Sequence, residues 1–118
     1  MKKCAALIVD DDDSVQRLLR VVLRKYCGSI DVAGDGEAAI EMVRGGAYDV
    51  VLLDLMLPKA NGFAVSEAIQ SLEKRPKVIV FSAIARYFTD RFPDDTMVLQ
   101  KPFDIERVEE AMRALDAG

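Results

Sequence analysis

A short apolar run followed by a segment of helical period occurs five times along this chain. That alternation constrains its fold more than any other feature. The runs are Ala5–Val9, Ile30–Ala33, Asp49–Leu53, Lys77–Ser82 and Thr96–Gln100. Strands joined through helices pair in parallel, because a parallel pair needs a long crossover. After the first run, Val15, Leu18, Leu19, Val22 and Leu23 recur at i, i+3, i+4, i+7 and i+8, the signature of one buried helix face. Asp13 is the expected N-cap of that helix, with Gln16 three residues on completing a capping box. Ala64, Val65, Ala68, Ile69 and Leu72 mark a second face, and Ile105, Val108, Met112 and Leu115 a third. A shorter helix over Glu37–Arg44 should stop at Gly45-Gly46.

The runs also differ in a way that orders them. Ala5–Val9, Val50–Leu53 and Val78–Phe81 are continuously apolar, as strands covered on both faces must be. Asp31 and Gln100 interrupt the second and fifth runs, which therefore read as sheet edges. The expectation is an α/β fold: a (βα)5 flavodoxin-like three-layer sandwich with a parallel sheet in the order 2-1-3-4-5. Ligands of such sheets bind beyond the carboxyl ends of the strands.

Composition narrows the chemistry available there. The 118 residues suit one compact domain, 1–118, with a net charge of −4, two cysteines and no histidine. Without histidine there is no Ser-His-Asp or Cys-His nucleophile and no His-ligated metal. Two cysteines cannot by themselves build a structural zinc site or an iron–sulfur cluster. The acidic balance argues against direct nucleic-acid binding. No apolar run is long enough to cross a bilayer, and no full signal peptide begins the chain, so a cytoplasmic location without membrane contact is expected. Cys4 and Cys27 should lie near each other, reduced, at the end of the sheet away from the chemistry.

Carboxylate, hydroxyl and lysine chemistry remain, and these groups gather at strand ends. Strand one ends in Asp10-Asp11, strand three in Asp54, strand four in Ser82, and strand five runs into Lys101-Pro102. Taken singly, each has an ordinary reading as a solvated loop, cap, turn or surface residue. Taken together, they place several carboxylates at one sheet edge, where they repel unless cations intervene. Lys101 supplies one positive charge, and a hard divalent ion with oxygen ligands, Mg²⁺, is the natural second. Such a site suits a phosphoryl group attacked by a carboxylate.

Four blocks carry a family resemblance: Leu7-Ile8-Val9-Asp10-Asp11-Asp12; Leu52-Leu53-Asp54-Leu55-Met56-Leu57-Pro58 with Asn61-Gly62; Ile79-Val80-Phe81-Ser82-Ala83; and Lys101-Pro102-Phe103. In this order and spacing the chain resembles the CheY-like receiver domain of two-component response regulators. The resemblance implies that Asp54 is the phosphoacceptor. It implies that Asp10, Asp11, Asp54 and the Met56 main-chain carbonyl hold Mg²⁺. Ser82 then takes the hydroxyl switch position, and Lys101 pairs with a phosphoryl oxygen before a cis Lys101–Pro102 peptide. The implied donor is the phosphohistidine of a sensor histidine kinase or histidine phosphotransfer protein, and the implied output is altered binding of an unnamed downstream target. The aspartyl phosphate would hydrolyse again, a limited self-directed catalysis. No output domain is expected after Leu115, and homodimerisation is left open.

Two features depart from the family pattern. Val98 stands where an aromatic residue is common, and the stretch from Ser82 to Lys101 is shorter than usual. Residues 84–93 pattern poorly as a helix, and Pro93 ends whatever forms, so a short or irregular element is expected there. Tyr87, Phe88 and Phe92 either form a partner-binding aromatic patch or simply cover the sheet. Two rival functions follow. One is a constitutive interaction domain on the same fold. The other is a phosphatase similar to the haloacid dehalogenase superfamily, read from Asp10-x-Asp12-x-Ser14, although Asp54-x-x-x-Pro58 has no role in it.

Overall fold

The computed structural model of the protein describes residues 4–84, 87, 89–93 and 95–117. Five strands alternate with helices: β1 (Cys4–Val9), α1 (Asp13–Leu23), β2 (Cys27–Ala33), α2 (Gly36–Gly45), β3 (Val50–Asp54), α3 (Gly62–Gln70), β4 (Lys77–Ser82), β5 (Met97–Gln100) and α4 (Ile105–Ala117). All pairings are parallel, in the order β2-β1-β3-β4-β5. The order expected from the edge residues is the one observed.

Strand periodicity divides the core in two. Ala6 and Ile8 of β1 face one side with Leu52, Ile79 and Phe81, under Leu19 and Leu23 of α1 and Val108 and Met112 of α4. Leu7 and Val9 face the other with Val51, Leu53 and Val80, under Val43 of α2 and Val65 and Ile69 of α3. Each fully buried side chain of this size contributes about 1.5–3 kcal/mol of transfer free energy. Every residue of β3 is buried, whereas Gly28, Ser29 and Asp31 of edge strand β2 are exposed. None of the described helices is long and apolar enough to cross a membrane.

Several local expectations need correction. Asp12, not Asp13, caps α1: its backbone is extended, and its carboxylate accepts from the Ser14 and Val15 amides at 2.8 and 3.3 Å. Gln16 consequently sits one position too late for a capping box, and its amide donates instead to the Asp10 carbonyl at 2.6 Å. Leu18 and Ile105 are 37% and 42% exposed, because their stripes are wider than the contact with the sheet. The strand β2 begins at Cys27, three residues before its apolar signal, because it pairs with β1 from Cys4 onward.

Between β4 and β5 the described residues form a 3-10 turn at Thr89–Arg91 and no α-helix, as the poor patterning predicts. Phe92 is buried and stacks on Phe63 of α3, ring centroids 5.6 Å apart and nearly parallel. It therefore covers the sheet and does not belong to an exposed aromatic patch. Tyr87 is 65% exposed, and residue 88 lies outside the described residues. At the amino ends of the strands, the buried Cys4 and Cys27 thiols face each other, Cys27 Sγ donating to Cys4 Sγ at 2.6 Å.

Candidate functional site

The carboxyl ends of two adjacent strands, β1 and β3, bring the acidic residues together. Asp10 follows the last residue of β1, and Asp54 is the last residue of β3; both are buried, at 0% and 5% exposure. Asp11 is exposed beside them. One carboxylate oxygen from each of the three lies within 4.8 Å of the others. Lys101 arrives from the end of β5, its Nζ 3.0 Å from Asp10 Oδ2 and 3.3 Å from Asp54 Oδ2.

Each buried carboxylate divides its two oxygens in the same manner. Asp10 Oδ1 accepts from the Asp12 amide at 2.8 Å and Asp54 Oδ1 from the Met56 amide at 3.2 Å, which leaves both Oδ2 atoms to Lys101. Close packing aims these groups. A Cβ on Gly62 would lie 2.5 Å from the Asp54 carbonyl oxygen, so only glycine lets the start of α3 sit against the end of β3. A Cβ on Gly36 would meet the Ala60 carbonyl at 1.6 Å, and the Gly36 amide donates to Pro58, holding the loop after Asp54 against α2.

The electrostatics follow from burial. Loss of solvent pushes the Asp54 carboxyl above its ordinary range; the Met56 amide and Lys101 pull it back only in part, and Asp10 pushes it further up. Burial works against the Lys101 ammonium, but contact with Asp10 and Asp54 outweighs it and raises that group. One ammonium thus faces three carboxylates, two of them buried. An all-oxygen donor set with this excess of negative charge fits a hard divalent cation.

The remaining candidates lie around this centre. Ser82, fully buried at the end of β4, accepts from the Ile84 amide through Oγ at 3.4 Å. The Met56 main chain is fixed beside Asp54 through its amide, and the Lys101–Pro102 peptide is cis. Lys101 also lies 5.1 Å from the centroid of the Phe81 ring. Asp12, a partner of Asp10 in a dehalogenase-type motif, spends its carboxylate on the cap of α1. The sequence marked Gln16 only as a capping-box partner and Gln100 only as an edge residue, since their bonds to the Asp10 and Ala83 carbonyls form only in the folded chain.

The response regulator receiver domain family matches residues 6–113. The chain belongs to that family. Among relatives of this receiver domain is the response regulator ArlR of Staphylococcus saprophyticus, 33% identical over 113 residues that cover 92% of this chain and 50% of ArlR. The chain thus spans about half the length of the curated relatives it matches. Among solved structures, the response regulator TrrA of Thermotoga maritima in complex with Mg²⁺ and BeF is 31% identical with a TM-score of 0.80, covering 98% of this chain and 99% of that one. A CheY-like receiver domain from Methylobacillus flagellatus is 25% identical with a TM-score of 0.79, over 95% and 98% of the two chains.

Proposed function

We propose that this receiver domain takes a phosphoryl group from a partner phosphohistidine onto Asp54 and thereby changes its binding to a downstream target. The observation that carries this reading is the shared contact of Lys101 with Asp10 and Asp54 at the carboxyl end of the sheet. Asp10, Asp11, Asp54 and the Met56 carbonyl are the groups that would hold Mg²⁺, which supplies charge neutralisation to a phosphoryl group in transfer. Asp54 Oδ2, already directed away from the main chain toward Lys101, is the attacking oxygen. Lys101 then follows the negative charge onto a phosphoryl oxygen. The Ser82 hydroxyl, whose oxygen accepts from the Ile84 amide, donates its proton to another phosphoryl oxygen. The partner brings the reactive histidine, which this chain lacks.

Acetyl phosphate with Mg²⁺ replaces the partner in the test. Intact mass should rise by one phosphoryl group in the wild type and not in Asp54→Asn. Absence of the adduct in the wild type would leave a constitutive interaction domain, and an adduct on Asp10 would leave the phosphatase.

A further inference from the structure

The last residue of β5 carries an amide with two N–H bonds, and the fold directs both to main-chain carbonyls beside the site. Gln100 is paired in register with Ser82. Its Nε2 donates to the carbonyl of Ala83, the residue after Ser82, and at 3.1 Å to the carbonyl of Lys101. The Lys101 amide in turn donates to the Ser82 carbonyl at 3.0 Å. The main chains that carry the Ser82 hydroxyl and the Lys101 ammonium are therefore cross-linked twice, once by backbone and once by this side chain.

We infer that Gln100 is a positioning residue, which holds the Ser82 and Lys101 segments at the separation needed for both side chains to meet one phosphoryl group. The inference rests on the phosphorylation reading above. The Ser82 hydroxyl that would donate to a group on Asp54 accepts from the Ile84 amide, so its position is coupled to the 82–84 turn. Gln100 ties that turn to the carbonyl of Lys101, so that the two segments adjust together. Val98, two residues earlier, is a half-buried aliphatic residue packed against the core and has no polar group with which to make such a link. The link requires N–H donors: an acceptor of the same size would face two carbonyl oxygens and drive the segments apart.

Trifluoroberyllate, a mimic of the aspartyl phosphoryl group, supplies the readout through fluorine NMR on the full chain with Mg²⁺. Gln100→Glu and Gln100→Ala should bind it about tenfold more weakly, the scale of one lost hydrogen bond. Mg²⁺ affinity measured without beryllium should not change, because Asp10, Asp11 and Asp54 are untouched. Gln100→Lys, which restores N–H donors, should recover most of the loss. Equal trifluoroberyllate affinity in all variants would overturn the inference. So would a parallel fall in Mg²⁺ affinity, or failure of Gln100→Lys to recover binding, since either is the mark of general damage. A wild type that binds no better than Asp54→Asn would instead overturn the phosphorylation reading, and the inference with it.

Discussion

At Asp54 a carboxyl group sits where the surroundings disfavour charge. Its folded pKa lies above the unfolded value of 3.8, so its favourable contribution is complete below that value and is lost as pH rises through the folded pKa. In its ionised form the group therefore costs stability relative to the unfolded chain. Asp54→Asn should melt at a higher temperature than the wild type in EDTA, and Mg²⁺ should narrow that gap; a lower melting temperature for the variant would contradict the assignment. Lys101→Met should do the reverse, leaving two buried carboxylates without their ammonium at a cost of about 3 kcal/mol in a denaturant titration. Asp10, Asp54, Ser82 and Lys101 could be picked out in the sequence because a polar residue closing an apolar run is a local mark. Asp12 could not be told from Asp13 within four consecutive aspartates, since backbone angle and not residue type selects the cap.

The described residues of the connection between β4 and β5 show how this part of the sheet is covered. Phe92 lies in the core with Val80 and Val65 and stacks on Phe63, while the Arg91 guanidinium sits 4.7 Å from the centroid of the Phe63 ring. Phe92→Ala should cost about 3–5 kcal/mol in a denaturant titration, the range for deleting a buried aromatic side chain. Tyr87→Ala, at an exposed position, should stay within about 0.5 kcal/mol of the wild type. Equal costs would mean that Phe92 does not seal the sheet. The irregularity of this segment was legible in its broken periodicity and in Pro93. The burial of Phe92 was not, because its partner Phe63 lies in a different element.

Across the whole molecule, the alternation of apolar runs settled layer count and strand order, since two edge strands carried polar residues and three did not. The same topology separates two titrating regions. At the amino ends of the strands, burial and then the neighbouring Cys4 push the Cys27 thiol from 9.0 up to about 12. Burial and the bond to Asp31 push Tyr48 from 10.0 up to about 12. Both stabilise fully below their unfolded values and lose that contribution as pH climbs through the folded ones. Stability should therefore fall between about pH 9 and 12, and Tyr48→Phe should flatten the slope in urea titrations run across that window. At the carboxyl ends, Lys101 acts as a tethered counterion that cannot diffuse away. A free cation entering the resting site must share oxygens with an ammonium already in contact with both buried carboxylates. Whatever draws that ammonium aside strengthens cation binding, and linkage requires the cation to strengthen that group's hold by the same factor. On the proposed phosphorylation mechanism, one lysine would thus make metal and phosphoryl group cooperative.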